Sequence, residues 1–327
     1  MHGEYKIRVK NSRNSYSFTL RRNLTILRGE SGRGKTTLFD MIREYNRYGK
    51  ESGVSISSDR ELIAIEGDQW EDEILRNPGK IVIIDEDSHF IRSKDFAETV
   101  KGSDNYYLLI TRNYLEQLPV SVDEIYRLSG TKNKRFEKIY TEIERMYDAP
   151  VRRYLPFRPQ VIITEDKRSG FQFFESVAKK MGISCVSAEG KSQVLSTLNR
   201  YSEMAVVVVA DGAAFGAEME DVVRQQALRP RKIALFLPES FEWIVLKSGV
   251  VELENNVQLD SPELFANSEA FMSWEQYFTK LLMDATQNSE FKKYRKDKLA
   301  NYYLQDRVVR EIEKEIPGVD LKEAEDK

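Results

Sequence analysis

The stretch GESGRGKTTLFDMI, residues 29–42, constrains the fold more than any other part of this 327-residue chain. Its Gly29, Gly34, Lys35 and Thr36 fit the phosphate-binding pattern G-x-x-x-x-G-K-[ST]. Before it, YKIRV and SYSFTL alternate apolar and polar residues around NSRN, which predicts a β-hairpin, and LTILR predicts a third strand. A helix, TTLFDMIREYNRY, is predicted after the turn. Strand, glycine-rich turn and helix therefore follow in the order that the motif requires.

This loop predicts a set of nucleotide contacts. Backbone N–H groups of the turn and of the first helical residues cradle phosphate oxygens, helped by the helix dipole. We expect Lys35 to reach the β- and γ-phosphates of ATP and the Thr36 hydroxyl to hold Mg²⁺. The residues assigned to nucleotide binding are Gly29, Glu30, Ser31, Gly32, Arg33, Gly34, Lys35, Thr36 and Thr37.

A second element, KIVIIDEDSHF, is a short apolar run that ends at Asp85 and Glu86. A buried Ile/Val run is typical of a central strand in a parallel sheet. Asp85 is then expected at the strand's carboxyl edge, where it holds the magnesium-bound water. Glu86 is expected to act as the general base that polarises the attacking water. The pair resembles the second Walker motif of ATPases that carry a catalytic glutamate beside the aspartate.

The segment NYYLLITRN, residues 105–113, predicts a further strand. In the ATPases resembled here, a strand between the two Walker strands ends in a polar residue that senses the γ-phosphate, and Thr111 has that position. The alternative is a hydroxyl that caps the next turn. Arg112 has three open roles: on its own nucleotide, on a neighbour's as an arginine finger, or as a surface charge.

The spacing of the motifs indicates a compact ATPase. Only 50 residues separate Lys35 from Asp85. Transporter-type ATPases place a long helical insertion and an LSGGQ-like signature between their Walker motifs, whereas LSGTK here comes after the second motif. We therefore reject a transporter or a long coiled-coil ATPase.

Composition excludes several other classes. A single cysteine, Cys185, and two histidines leave no internal disulfide and no Cys/His metal cluster. No apolar run approaches the roughly 20 residues that cross a bilayer, and the charged start is not typical of a signal peptide. We expect a cytoplasmic protein with no membrane partner. Two basic clusters, residues 131–158 and 291–298, are either solvated helix faces or surfaces that contact a phosphate backbone.

The chain is predicted to be α/β with two domains. DAPVRRYLPFRP gathers three of the nine prolines and is the expected boundary, because proline interrupts both helix and sheet. After it, strands alternate with helices again, which predicts a second parallel sheet. The predicted organisation is a P-loop ATPase domain at 1–148, a linker at 149–158, a second α/β domain at 159–255 and a helical region at 256–327.

Two strands of the second domain end in carboxylates. VIIT is followed by Glu165, and VVVVA is followed by Asp211. Because carboxyl ends of parallel strands meet at one crevice, we expect these side chains to converge. Carboxylates that meet in this way hold magnesium for phosphodiester chemistry, so both are assigned as metal ligands, as Thr36 and Asp85 are in the first domain.

Glu165, GKSQVLSTL, Asp211 and LPESFEWIVLKSG together resemble a Toprim domain, the magnesium-binding fold of topoisomerases, primases and nucleases of the overcoming-lysogenization-defect type. In those nucleases a P-loop ATPase precedes the Toprim domain, which is the order found here. The sequence departs from the family where active domains carry Asp-x-Asp, because Ala213 replaces the second aspartate. Three interpretations stay open: another acid completes the site, the domain is degenerate, or it is a receiver-like or Rossmann-like α/β domain. The acids considered are Glu218, Glu220, Asp221, Glu239 and Glu242.

Two functions follow from the resemblance. The first is a protein of bacterial anti-phage defence in which ATP binding and hydrolysis control a magnesium-dependent nuclease or a DNA- or RNA-binding domain. The alternative is an ATP-driven switch whose degenerate Toprim-like half binds a protein partner without cutting. A compact P-loop core leaves the γ-phosphate open on one side, so we expect a homodimer or higher oligomer.

Overall fold

The structure, a computed structural model, describes residues 1–29, 34–133, 138–147, 157–254 and 257–321. The chain is α/β and divides into two compact units. The first unit comprises Met1–Tyr147 with Ser261–Ser273, and the second comprises Asp148–Asp260 with Trp274–Lys327. The region 256–327, which the sequence groups as one helical segment, is therefore shared between the units. Of the predicted phosphate loop, Glu30, Ser31, Gly32 and Arg33 lie outside the described residues, as does most of the predicted linker.

The first unit is built on a mixed sheet. Its nine described strands run in the order β4-β1-β2-β9-β8-β3-β7-β6-β5. Their bounds are β1 Tyr5–Lys10, β2 Asn14–Leu20, β3 Leu24–Arg28, β4 Ser55–Ser57, β5 Leu62–Ala64, β6 Ile81–Ile84, β7 Tyr106–Ile110, β8 Ile125–Asn133 and β9 Lys138–Arg145. β1 and β2 pair antiparallel as the predicted hairpin, and β8, β3, β7, β6 and β5 form a parallel block.

The parallel block positions the site because its central strands are covered on both faces. β3, β6 and β7 are buried along their whole length, as continuous apolar strands in α/β sheets are. On one face lies α1, Lys35–Tyr48, which buries Leu38, Phe39 and Ile42 in the core. Near β7 lie α2, Trp70–Arg76, and α3, Lys94–Lys101. The Phe96 ring of α3 contacts both the Trp70 ring of α2 and the Tyr107 ring of β7.

The second unit holds a separate parallel sheet in the order β11-β10-β12-β13, which confirms the parallel sheet predicted after the proline-rich boundary. Its strands are β10 Val161–Thr164, β11 Ser184–Ser187, β12 Val206–Val209 and β13 Ile233–Phe236. The direction of strand progression reverses between β10 and β12. In open α/β sheets this reversal creates a crevice at the carboxyl ends of the two strands.

Helices surround this sheet and complete the second unit. They are α4 Ser169–Met181, α5 Val194–Arg200, α6 Met219–Leu228, α7 Phe241–Lys247, α8 Val257–Asp260, α9 Trp274–Thr286 and α10 Asp306–Glu313. α9 and α10 both pack on α7, and Phe278 and Tyr303 are fully buried. None of the helices within the described part of the chain is long and apolar enough to cross a membrane.

Candidate functional site

The predicted phosphate loop is bounded by two glycines with positive φ, Gly29 (φ 134°) at the end of β3 and Gly34 (φ 94°) at the N-cap of α1. L-residues with a side chain rarely adopt these conformations. A Cβ at Gly34 would also lie 2.8 Å from the hydroxyl oxygen of Tyr16. The motif glycines are therefore required by backbone conformation and, at Gly34, by the close approach of a side chain.

Lys35 lies at the mouth of this loop. Its side chain is buried, with 5% exposure, and its Nζ donates a hydrogen bond of 2.7 Å to the carbonyl oxygen of Gly29. Burial lowers the pKa of Lys35, and the carboxylates of Glu86 and Asp85 oppose that shift. The ammonium is therefore partly desolvated and close to two acids, a position from which it can neutralise phosphate oxygens.

Tyr16 fixes the start of α1 and was not found by sequence reasoning. Its buried hydroxyl donates to the carbonyl oxygen of Gly34 at 2.9 Å and accepts a hydrogen bond from the Thr37 side chain. Burial raises the pKa of Tyr16. Alternation in β2 indicates an inward side chain at this position, but only the tertiary structure shows that it reaches the loop. Thr37, assigned to the nucleotide, thus also braces the loop through Tyr16.

The acidic edge of the site is formed by Asp85, directly after β6. The Thr36 side chain hydrogen-bonds to its buried carboxylate, and its Oδ1 accepts a 2.8 Å hydrogen bond from the backbone N–H of Glu86. Burial raises the pKa of Asp85, and these two hydrogen bonds act in the opposite direction. One hydroxyl and one carboxylate are the hard oxygen ligands with which Mg²⁺ is held beside phosphates and water. These residues fit a magnesium ion.

Glu86 and Arg112 meet across the same edge. β7 lies between β3 and β6, the position that the resemblance implies for the strand ending at Thr111. Arg112 Nη2 is 2.9 Å from Glu86 Oε1, with the two side chains 51% and 25% exposed. The backbone of Arg112 is held by Arg28, whose Nη2 donates to the Arg112 carbonyl oxygen at 2.8 Å. The structure thus brings Lys35, Asp85, Glu86 and Arg112 to one site.

Thr111 is buried at the end of β7. Its backbone N–H donates to the Leu27 carbonyl oxygen at 3.2 Å, and its Oγ1 accepts a 3.0 Å hydrogen bond from the backbone N–H of Asn113. This second contact is the turn-capping interaction that the sequence left as the alternative to γ-phosphate sensing.

A cavity of about 690 Å³ adjoins the side of the site that Thr36 and Asp85 form. Thr36 and Asp85 lie on its wall, and Trp70 and Phe90, whose rings stack at 4.9 Å, line it further out. Cavities of this size hold small-molecule ligands. Water and solutes therefore have access to the acidic edge.

In the second unit, Glu165 and Asp211 come together at the reversal between β10 and β12. The backbone N–H of Asp211 donates to Glu165 Oε2 at 3.3 Å. Asp211 Oδ1 accepts a 3.2 Å hydrogen bond from the backbone N–H of Phe241 at the start of α7. The crevice that the sequence placed here is therefore lined by both carboxylates, as expected from the sheet.

The residues after Asp211 run tightly against the end of β13. The Gly212 N–H donates to the Pro238 carbonyl oxygen at 2.6 Å, and a Cβ at Gly212 would lie 2.6 Å from the Leu237 carbonyl oxygen. Ala213 is 1% exposed and its N–H donates to the Glu239 carbonyl oxygen at 3.2 Å. Ala213, which stands where active domains carry the second aspartate, is therefore buried against the backbone that follows β13.

Among the acids considered as replacements, Glu220 and Asp221 form ion pairs with Arg224 at 3.3 and 3.5 Å. Glu242 is the one whose charge acts on Asp211. It is 1% exposed, and its Oε1 accepts a 2.7 Å hydrogen bond from the hydroxyl of Tyr294.

Lys296 supplies the positive charge of this carboxylate group. Its Nζ lies 3.7 Å from Glu242 Oε1 and forms a second ion pair with Glu275. Lys296 and Tyr294 belong to the basic cluster 291–298, in which Arg295 also pairs with Asp297 at 2.7 Å. Sequence reasoning treated this cluster as surface or as a phosphate contact. Lys296 instead forms ion pairs with Glu242 and Glu275 inside the second unit.

The electrostatics of the crevice follow from this packing. Burial, with the charge of Glu275, raises the pKa of Glu165 to about 7, and burial with the surrounding carboxylates raises the pKa of Asp211 well above its ordinary value. Burial works against the charge of Lys296, but Glu242, Glu275 and Asp211 raise its pKa overall. The lysine therefore stays charged and acts as the counter-ion of the cluster.

The surroundings of Glu165 and Asp211 disfavour a divalent ion in this crevice. Across residues 1–29, 34–133, 138–147, 157–254 and 257–321, no group of three or more His, Cys, Asp or Glu is arranged to hold a metal. The cavity beside Glu165, Asp211, Glu242 and Lys296 measures about 40 Å³. The Lys296 ammonium pairs with Glu242 and Glu275, so a metal ion bound by Glu165 and Asp211 would lie near an existing positive charge.

Comparisons with protein-family models, with curated proteins and with solved structures find no match to this chain.

Proposed function

We propose that the first unit binds and hydrolyses ATP with magnesium. The observation that supports this most strongly is the convergence of Lys35, the Thr36–Asp85 pair and Glu86 at the carboxyl edge of neighbouring parallel strands. These are the groups that phosphoryl transfer to water requires, in the arrangement of a phosphate loop followed by an acidic strand.

Each residue has a separate role. Lys35 exchanges the Gly29 carbonyl oxygen for the β- and γ-phosphate oxygens and neutralises their charge. Thr36 and Asp85 hold Mg²⁺, which when bound neutralises phosphate charge. Glu86 accepts the proton of the attacking water, which the adjoining cavity admits.

Two substitutions test this proposal because they separate binding from chemistry. Lys35→Ala is expected to weaken ATP binding, measured by calorimetry, by about 10-fold or more, since a charge-assisted contact is lost. Glu86→Gln is expected to keep ATP affinity and to lower kcat by about 100-fold, the usual contribution of a general base. Lys6→Ala, at a lysine of the same unit that is 81% exposed, is the matched control and should leave both quantities unchanged. Wild-type affinity in Lys35→Ala, or wild-type turnover in Glu86→Gln, would overturn the proposal.

For the second unit we propose a module that binds a partner and does not cut nucleic acid. The observation that favours this over the metal-dependent nuclease is Lys296, whose ammonium pairs with Glu242 and Glu275 and whose charge also acts on Asp211, one of the two acids that a nuclease would use for magnesium. The tight backbone at Gly212 and Ala213 supports the same interpretation. The Toprim-like resemblance then describes the fold of this unit and not its chemistry.

The test is a cleavage assay on plasmid DNA and on RNA with Mg²⁺ or Mn²⁺. The expected result is no cleavage above the buffer control. Cleavage by the wild-type protein that disappears in both Glu165→Ala and Asp211→Ala, with ATP hydrolysis retained, would establish the nuclease and contradict this proposal.

The sequence resemblance to ATPase-nucleases of anti-phage systems supports a further proposal, that ATP hydrolysis controls how the second unit engages DNA, RNA or a protein partner. It also supports an ATP-dependent homo-oligomer. Light scattering with and without a non-hydrolysable ATP analogue tests this: a mass that increases with the analogue supports it, and a monomer under both conditions contradicts it.

A further inference from the structure

We infer that Arg112 acts on the nucleotide of its own chain, exchanging the carboxylate of Glu86 for the γ-phosphate and thereby releasing Glu86 to orient water. This inference rests on the proposed ATP hydrolysis. It chooses one of the three roles that the sequence leaves open for this arginine.

The strand order places Arg112 within its own site. β7 lies directly between the strand that leads into the phosphate loop and the strand that ends at Asp85. Arg112 follows β7 by two residues, at the same sheet edge as both motifs. The guanidinium therefore reaches Glu86, 2.9 Å away, without help from a second chain.

The backbone of Arg112 is held firmly while its side chain is half-exposed. Buried Arg28 donates to the Arg112 carbonyl oxygen at 2.8 Å, and the Arg28 guanidinium lies 4.7 Å from the centre of the Tyr114 ring. The Thr111 N–H donates to Leu27 on β3, which ties the preceding residue to the loop strand. A fixed Cα with a long, partly solvated side chain allows the charged end to change partner without a backbone rearrangement.

A short series of contacts joins Arg112 to the position expected for the phosphates. Arg112 pairs with Glu86, whose N–H donates to Asp85, and Asp85 accepts a hydrogen bond from Thr36 in the first turn of α1. The charge of Arg112 also acts on Lys35. The guanidinium thus lies in the neighbourhood of the ammonium that is expected to contact the γ-phosphate.

The chemistry of the exchange depends on the γ-phosphate. While Arg112 holds it, Oε1 of the Glu86 carboxylate is occupied by the guanidinium and cannot accept a hydrogen bond from the attacking water in the same direction. A γ-phosphate offers several charged oxygens and suits the planar donor pair of an arginine better than one carboxylate oxygen does. ADP lacks that group, so with ADP the Glu86–Arg112 pair is expected to persist. The pair would then favour ATP over ADP and couple occupation by ATP to activation of the base.

The first experiment compares nucleotide selectivity in Arg112→Ala, Arg112→Lys and a control. Arg112→Ala is expected to weaken binding of a non-hydrolysable ATP analogue by about 10-fold, to leave ADP affinity within about 2-fold, and to lower kcat by about 10-fold or more. Arg112→Lys should recover part of the analogue affinity and little of kcat, because a point charge lacks the planar donor pair. Arg76→Ala, which removes an exposed arginine paired with Asp72 at 3.2 Å, should change none of these. An unchanged ratio of analogue to ADP affinity in Arg112→Ala would overturn the inference.

The second experiment distinguishes action within one chain from action on a neighbour. Arg112→Ala and Lys35→Ala are mixed under conditions that allow subunit exchange. If Arg112 acts on its own nucleotide, the mixture has the sum of the two separate activities. If it acts on a neighbour, Arg112 of the Lys35→Ala chain restores turnover in its partner, and the inference is wrong. Failure of the proposed function is distinguishable, since the wild-type protein would then hydrolyse no ATP at all.

Discussion

The two units share a local arrangement, an acid that follows a buried strand, but the surroundings of that acid differ. In each, a buried strand of Ile or Val leads to an acid at the carboxyl edge of a parallel sheet, Asp85 after β6 and Asp211 shortly after β12. Asp85 is buried and Asp211 is half-buried, and burial raises the pKa of both. What differs is the source of the neutralising charge.

In the first unit the acid shares its site with Thr36 and faces a cavity of about 690 Å³, so a cation from solution can reach it. In the second unit Lys296 pairs with Glu242 and Glu275 and its charge also acts on Asp211, next to a cavity of about 40 Å³. An acid after a buried strand is therefore not sufficient evidence of a metal site. The cations and the space around it decide between a site that takes a ligand and a cluster that stabilises the fold.

The largest expected effect is the difference in stability between replacing Lys296 in the second unit and replacing Lys35 in the first. Lys296→Met should lower the free energy of unfolding of the second unit by about 3–5 kcal/mol, because buried carboxylates lose their counter-ion. Lys35→Met should change the stability of the nucleotide-free first unit by less than about 1 kcal/mol, since removing a desolvated ammonium offsets the loss of its hydrogen bond to the Gly29 carbonyl oxygen. Urea unfolding followed by fluorescence measures both, with Trp243 and Trp274 in the second unit and Trp70 in the first.

Lys293→Met is the matched control, because Lys293 is an exposed lysine of the same basic cluster. It should change the free energy of unfolding of the second unit by no more than about 0.5 kcal/mol. Equal losses from Lys35→Met and Lys296→Met would remove the contrast between the two lysines.

A smaller effect is expected from the two buried tyrosines that brace the crevices. Tyr294→Phe removes the hydroxyl that donates to Glu242 and should cost about 2 kcal/mol in the second unit, with ATP hydrolysis unchanged. Tyr16→Phe removes the neutral contact with Gly34, should cost about 1 kcal/mol and should raise the KM for ATP, because the loop start is less fixed. If Tyr294→Phe impairs ATP hydrolysis while Tyr16→Phe does not, the roles assigned to these two tyrosines are wrong.

The smallest effect concerns pH. The pKa of Glu165 rises from 4.5 to about 7 on folding, so its contribution to stability is full below pH 4.5 and is lost as pH rises through about 7. Between pH 6 and pH 8 this amounts to about 1 kcal/mol of lost stability in the wild-type second unit. Glu165→Gln should flatten that part of the pH profile, whereas Glu290→Gln, at an exposed position, should not. A profile that stays equally steep in Glu165→Gln would contradict the assignment.

Local signals predicted the parts of the fold that depend on short segments. The hairpin, the strand and helix on either side of the predicted phosphate loop, and the apolar strands before Asp85 and Asp211 are all recognisable in the sequence, because strand and turn preferences act over a few residues. The absence of an acid at Ala213 is also visible in the sequence, and the structure places Ala213 directly after the crevice that Glu165 and Asp211 line.

Contacts between distant segments could not be predicted in the same way. Tyr16 reaches Gly34 only because of how β2 is placed in the sheet, and Arg28 reaches the Arg112 carbonyl oxygen only because β3 and β7 pair. Lys296 is far along the chain from Asp211 and appears in the sequence as one lysine in a charged run. Hydrophobic periodicity does not encode which lysine turns inward, since that depends on the carboxylates already gathered by the sheet.

Counting bound magnesium tests the central claim most directly. Mg²⁺ is titrated by calorimetry into the Glu86→Gln protein, first without nucleotide and then with one equivalent of ATP bound, and the titration is repeated after Glu165→Ala or Asp211→Ala is added to that protein. The account predicts one ion per chain that requires ATP, the same in all three proteins, and no ion in the second unit. A second ion that binds without ATP and disappears in both Glu165→Ala and Asp211→Ala would show that the second crevice takes a metal from solution, and would contradict the account.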